Sequence, residues 1–255
     1  MAASERANWF DTEGNLHVSP SCKSLRDSIV SLCISQSDEL PLHDFNLGAL
    51  TDGVRCRIVS GRHGKKGERM LIINGVANIA GELSLEMPFI RTTRKLAQIQ
   101  KFRGFVRRNR TRTKETLKIA RRLLDSVSSC DAPLRSAMSP RERANWFDAE
   151  GCLYVGDRKE HGSREVSMSV YQSQREPLED FAFGANKNGV ASHIYSRRRI
   201  NDEFIMRIRR LDHIVTEISL ELPYLRTSKR LAQVRKLKEY LVERRAPTTE
   251  LAVTE

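Results

Sequence analysis

Cysteine is sparse in this 255-residue chain: five residues, at 22, 33, 56, 130 and 152, odd in number and with no CxxC pair. That argues against a disulfide framework and a thiolate zinc site, and it predicts a reducing compartment. Long apolar runs are also missing. None approaches the ~20 residues needed to cross a bilayer, and the start MAASERAN has neither the apolar stretch nor the cleavage site of a secretory signal. The expectation is an intracellular, membrane-free protein, cytoplasmic first, with an organelle left open. Six histidines (17, 43, 63, 161, 193, 213) show no metal-ligand spacing, and GKKG within 62–67 lacks the spacing of a phosphate-binding loop. Negative charge is locally scarce. Residues 91–122 hold thirteen Lys or Arg and one acid, Glu115, and a second basic cluster contains Arg197, Arg198, Arg199, Arg207, Arg209 and Arg210. A solvated face would account for such a run alone. The overall balance, +12 with a pI near 9.8, points instead to a polyanion as partner, with nucleic acid leading.

What the chain does have is a duplication. RANWFDTEG at 6–14 returns as RANWFDAEG at 143–151, and segment 31–60 laid on 167–196 without a gap is identical at 13 of 30 positions. SLEMPFIRTTRKLAQIQKF at 84–102 answers SLELPYLRTSKRLAQVRKL at 219–237. A repeat of this length is far beyond the roughly 20 to 50 residues of a solenoid unit. Each copy is therefore a small domain, and the two are expected to pack about a pseudo-twofold axis as a monomer. The boundaries read as 1–110 for the first unit, 111–138 for a helical and polar linker, 139–245 for the second unit, and 246–255 for a tail of little apolar periodicity.

Local signals give the element order. Ser139, Pro140 and Glu142 form a capping box with proline at the first helical position, and Ser4 is a candidate cap in the first copy. The motif helices should stop at Gly14 and Gly151, with Gly14 expected in the left-handed conformation. Alternation then predicts strands through Leu16 and Val18, Val30 to Ile34, Leu153 and Val155, and Val166 to Val170. A short helix carries Leu42, Phe45 and Ala49 on one face, matched by Leu178, Phe181 and Ala185. Two further strands follow in each copy, over 54–62 and 69–76, then 190–199 and 203–210. The closing helix runs from about Asn78 or His213 and is interrupted at Pro88 or Pro223. Residues 113–128 read as an amphipathic helix through Leu117, Ala120, Leu124 and Val127. Trp9, Phe10, Trp146 and Phe147 are read as core.

The two nine-residue strings resemble the motif of the LAGLIDADG homing endonucleases, and the element order matches that family's αββαββα unit over nearly the whole chain. The resemblance implies an α+β fold of two pseudo-symmetric αββαββα units whose antiparallel sheets form a DNA-binding saddle. It further implies two motif helices side by side, with the final acids of the motifs, Glu13 and Glu150, meeting at the bottom. Asn8 and Asn145 depart from the family's small glycine, so the helices should stand wider apart or bond through the amides.

The acids make independent physical sense. Each lies at a helix carboxyl end, where the macrodipole disfavours negative charge by roughly 0.3–1 kcal/mol, so another interaction must favour a carboxylate there. If the helix ends converge, the two acids raise each other's pKa unless a cation lies between them. An all-oxygen site of that kind suits Mg²⁺ or Mn²⁺. A solvated turn before glycine is the alternative. Asp11 and Asp148 are read as structural, accepting backbone N–H groups across the helix pair or holding a turn. The resemblance adds Gln36 and Gln172 as water-organising residues, although a solvated strand end explains a glutamine equally well. It also implies a basic residue at the start of the last helix. The ungapped match falls on Thr93 and Ser228, which leaves Arg94 and Lys229 as the candidates.

Base reading would fall to strand residues opposite in parity to the apolar set Leu16, Val18, Val54, Ile58, Leu71 and Ile73. These are Asn15, His17, Ser19, Arg55, Arg57 and Asn74 in one copy. In the other they are Tyr154, Ser167, Ser169, Tyr171, His193, Tyr195, Arg197, Arg207 and Arg209. The two sets differ while the apolar set repeats, so the target is expected to be asymmetric. The expectation is a site-specific, metal-dependent endonuclease cutting both strands of double-stranded DNA. An RNA maturase serving an intron and an inert DNA-binding regulator are the alternatives.

Overall fold

The two-residue period of the apolar residues builds two four-stranded antiparallel sheets, and the helices lie against them. The computed structural model describes residues 1–18, 30–60, 68–108, 114–126, 132–157, 164–197 and 203–245. The first unit runs α1 (Ala3–Glu13), β1 (Gly14–Val18), β2 (Val30–Gln36), α2 (Glu39–Thr51), β3 (Cys56–Ser60), β4 (Arg69–Asn74) and α3 (Val76–Glu86). A 3-10 turn at Met87–Phe89 leads into α4 (Thr93–Arg108), and α5 (Lys114–Asp125) follows. The second unit repeats the order with α6 (Pro140–Glu150), β5 (Gly151–Asp157), β6 (Arg164–Gln172), α7 (Arg175–Asn186), β7 (His193–Arg197), β8 (Glu203–Ile208) and α8 (Leu211–Glu221). It closes with a 3-10 turn at Leu222–Tyr224 and α9 (Ser228–Arg245). Strand order is β1-β2-β4-β3 and β5-β6-β8-β7. This is the predicted α+β fold of two pseudo-symmetric αββαββα units. Among the described residues no helix is long and apolar enough to cross a membrane.

Each unit has its own apolar core. Trp9 and Phe10 with Leu32, Ile34, Leu71 and Ile73 form the centre of the first, and Trp146 and Phe147 with Met168, Val170, Met206 and Ile208 that of the second. Leu42, Phe45 and Ala49 are buried together, as are Leu178, Phe181 and Ala185. The segment read as linker starts with α5, whose Leu117, Ala120 and Leu124 join the first core. Val127 lies outside the described residues.

Three local expectations change. The first helix is capped at Ala2, whose N–H donates to Glu5 (2.9 Å), and Ser4 is already helical. The copy with a serine at the cap, Ser139, makes the full reciprocal box with Glu142 (3.3 and 2.8 Å). Gly14 is extended, with φ −77° and ψ 155°, rather than left-handed. Its glycine is required by close approach instead. A Cβ there would stand 2.3 Å from the Phe10 ring and 2.6 Å from the Phe10 carbonyl, and Gly151 stands in the same relation to Phe147. The closing helices begin at Val76 and Leu211, about a half-turn before the expected starts.

The two units are joined through α1 and α6, which pack directly against each other. Both asparagine amides act as acceptors, Asn8 from the Trp146 indole (3.2 Å) and Asn145 from Arg226 (2.8 Å). Around the helix pair the units exchange arginines. Arg91 of the first reaches Asp180 (3.0 Å) and Glu142 (2.8 Å) of the second, and Arg226 of the second reaches Asp44 (2.9 Å) and Glu5 (2.7 Å) of the first. Helix starts are exchanged too. The backbone N–H of Thr93 donates to Gln174 (2.9 Å), and that of Ser228 donates to Asp38.

Candidate active site at the helix pair

Motif helix and strand are continuous in each unit, so Glu13 and Glu150 fall one residue before a strand that begins opposite Ile34 or Val170. Asp11 and Asp148 hold this junction in place. The Asp11 carboxylate accepts from the N–H groups of Arg91 (2.6 Å) and Thr92 (3.3 Å) and from the Thr92 hydroxyl (2.7 Å). Asp148 does the same with Arg226 (2.6 Å) and Thr227 (3.3 and 2.6 Å). Each therefore holds the turn before α4 or α9 within its own unit, the turn-holding alternative of the sequence reading. Burial still raises Asp11 to about 6 against these bonds.

The two glutamates are partly buried and electrically linked. Burial raises Glu13 to about 7, with the charge of Glu150 adding to it, then that of Glu68; Lys95 and Arg230 oppose. Glu150 is also raised by burial, with Arg94, Arg230 and Lys95 pulling it down and Glu203 pushing it up. Glu68, just before β4, and Glu203, the first residue of β8, occupy equivalent positions in the duplication, and strand periodicity gave no reason to select them.

The basic groups buried beside the motif helices are one residue further along than those selected from sequence. Arg94 and Lys229 are exposed, although Arg94 is near enough for its charge to act on Glu150. Lys95 and Arg230, one residue further along each helix, are buried. Lys95 donates its ammonium to the Gly14 carbonyl and lies over the Phe10 ring (5.1 Å). Arg230 donates Nε to the Phe147 carbonyl (2.7 Å) and lies over the Phe147 ring (5.4 Å). Burial lowers Lys95 to about 8, with Arg94 adding to the effect and Asp11, Glu13 and Glu150 opposing it. A signal was present in the sequence: Lys95, Ile99, Phe102 and Val106 share the helical stripe that faces inward.

Gln36 and Gln172 end β2 and β6. Their side-chain oxygens accept from the N–H and hydroxyl of the next serine, Ser37 (2.8 and 3.3 Å) and Ser173 (2.7 and 3.0 Å). What each can offer a ligand is the amide N–H donor pair. A divalent cation fits this place. Two partly buried carboxylates stand at the ends of neighbouring helices, the charge of Glu150 raises the proton affinity of Glu13, and oxygen is the donor a hard ion takes. Among the described residues no group of three or more His, Cys, Asp or Glu forms a larger ligand set.

On the sheets, Asn15, His17, Arg55, Arg57, Asn74, Tyr154, His193, Tyr195, Arg197 and Arg209 are exposed, and Tyr171 and Arg207 partly so. Ser167 and Ser169 sit on the same face but are buried, since short side chains at the sheet centre lie under longer neighbours. Ser19, Arg198 and Arg199 lie outside the described residues. Counting parity along β2 and β4 as well adds Cys33 and Ile72, paired in register with Asn15 and Arg57.

No protein-family model matches the sequence, and no curated protein matches it. Solved structures do match. The crystal structure of the LAGLIDADG homing endonuclease I-GzeII in complex with its DNA target superposes with a TM-score of 0.67 at 13% identity, covering 97% of this chain and 94% of that one. Meganuclease I-SmaMI bound to uncleaveable DNA gives 0.65 at 13% identity over 96% and 90%, and that protein has also been solved on an uncleaved target in the presence of calcium ions. LAGLIDADG meganuclease I-AabMI bound to uncleaved DNA gives 0.63 at 13% identity over 96% and 92%. With nearly the whole length of both chains superposed, this chain has the fold of the single-chain LAGLIDADG homing endonucleases.

Proposed function

We propose that the chain is a divalent-metal-dependent endonuclease that binds duplex DNA along its two sheets and cuts both strands at one long, asymmetric site. What supports this reading is that Glu13 and Glu150 end two helices that pack together, that the charge of Glu150 acts on Glu13, and that each unit adds one buried cation, Lys95 or Arg230. The matching structures, solved on DNA targets, support the substrate class. The net charge of +12 supports a polyanionic partner.

Phosphodiester hydrolysis needs an in-line water, neutralisation of charge on the phosphate, and help for the leaving 3′ oxygen. Glu13 and Glu150 would hold Mg²⁺ or Mn²⁺, which when bound polarises the phosphate and makes the attacking water more acidic. Lys95, when protonated, and Arg230 bring positive charge near the acids, in a partly water-excluded place where it acts strongly. Gln36 and Gln172 can donate amide N–H groups to a water or a phosphate oxygen. One set of groups per unit matches one scissile strand per unit.

The test is incubation with a randomised duplex library and Mg²⁺, followed by sequencing of the cut ends, for the parent chain and for Glu13→Gln and Glu150→Gln. The parent should cut one family of related sites, and each variant should lose cutting while still retaining the same duplexes in a binding assay. Cutting that survives both substitutions rejects the assignment.

A further inference from the structure

Each sheet has a cross-strand row that begins two residues after the motif acid, and the two rows differ in chemistry at their centres. In the first unit the row is Asn15, Cys33, Ile72 and Arg57. In the second it is Cys152, Ser169, Arg207 and His193. Position by position along the duplication, Ile72 stands where Arg207 stands. The centre of the first row is thus an apolar side chain beside a thiol, and the centre of the second is a guanidinium beside a hydroxyl.

The guanidinium is held in place. Arg207 donates Nε to the Ser169 hydroxyl (3.1 Å), and its Cζ lies 5.4 Å from the centre of the Tyr195 ring, on the strand beside it. Ser169 is buried, so its hydroxyl is a fixed anchor and not a solvent-exposed competitor. The bond to Ser169 uses Nε. The two terminal nitrogens form the planar fork that suits two acceptors side by side. In a major groove, O6 and N7 of guanine present such a pair, whereas adenine presents a donor in place of one acceptor. Stacking and anchoring remove rotamer freedom before binding, so little is lost when the fork engages. Ile72 can donate nothing. The base edge it suits is the one with a methyl group, thymine.

Resting on the DNA-cutting reading above, we propose that Arg207 is the guanine-reading residue of the second half-site, and that Ile72 makes the mirrored position of the first half-site a thymine. The two half-sites then differ at that mirrored position, which makes the row a source of target asymmetry.

The test is a binding selection from a randomised duplex library in metal-free buffer, which prevents cutting. It compares the full chain with Arg207→Gln and Ile72→Arg. The parent should select guanine at one position of one half-site and thymine at the mirrored position of the other, each by about tenfold or more. Arg207→Gln should turn the guanine into adenine, the base whose edge matches an amide, and leave the rest of the site unchanged. Ile72→Arg should bring guanine to the thymine position. Preferences that do not move in either variant overturn the inference while leaving the DNA-binding reading intact. So does a uniform loss of affinity at unchanged preferences in Arg207→Gln, which marks a phosphate contact. A parent chain that retains no duplex at all overturns the proposed function and this inference with it.

Discussion

Lys95 and Arg230 occupy the same place in the two units but differ in chemistry. A lysine whose pKa is lowered to about 8 by burial can give up its proton near neutrality, whereas an arginine keeps its charge. Lys95 donates to the carbonyl of Gly14, next to Glu13, and Arg230 donates to that of Phe147, in the last turn before Glu150. Replacing Lys95 or Arg230 by Met should therefore slow cutting of one strand more than the other, by about a hundredfold on the scale of losing one transition-state donor. On a supercoiled plasmid carrying the site, nicked circles should accumulate. Arg94→Ala and Lys229→Ala, which remove exposed charges, should change the rate by less than about tenfold. Linear product forming at parental rate in Lys95→Met and Arg230→Met contradicts this division of labour.

At the scale of the element, α3 and α8 carry two glutamates each into the core. Glu82 and Glu217 pair with Arg6 and Arg143, all four fully buried. Among the described residues no donor reaches either carboxyl oxygen of Glu86 or Glu221, one turn on, and each carboxyl, when protonated, can itself donate to Glu82 or Glu217. Both are raised well above the ordinary carboxylate value by burial, and then by the charge of Glu82 or Glu217. A folded-state pKa above the unfolded one means that the native chain holds a proton which the unfolded chain releases. Their contribution to stability is full below the unfolded value and is lost as pH rises towards the folded one. Glu86→Gln and Glu221→Gln keep the shape and remove the titration. Urea unfolding at a series of pH values should therefore show each variant gaining on the parent as pH rises from about 5 to 8. Parallel curves for parent and variants would mean that these carboxyls are ionised in the fold.

At the scale of the whole molecule, the arginine exchange decides how firmly the halves are joined. Arg91 is 1% exposed and its acids come from the other unit, 2.8 and 3.0 Å away. Its removal leaves Asp180 and Glu142 without that partner at the interface. Arg91→Ala should cost about 3 kcal/mol or more in urea unfolding, in the range for breaking a buried pair. Arg175 pairs with Glu179 at 2.9 Å on the surface of α7, and Arg175→Ala should cost below about 0.5 kcal/mol. Equal costs would show that the inter-unit contacts contribute little beyond solvated charge.

By itself the sequence determined the duplication, the order of strands and helices, the two cores and the motif acids. Each of these is written in short periods: two residues for Leu16 and Val18, a helical stripe for Leu42, Phe45 and Ala49, and an acid before glycine at 13 and 150. Such signals arise from neighbours within a few residues, and local sterics and burial fix them. Only the tertiary structure decided which cation is buried beside the motif helices, because exposed Arg94 and buried Lys95 are adjacent in sequence and differ only in which side of a packed helix they occupy. The same holds for Arg91 and Arg226. Nothing next to them in the chain names Asp180 or Asp44, which lie 89 and 182 residues away and become partners only when the two motif helices pack together.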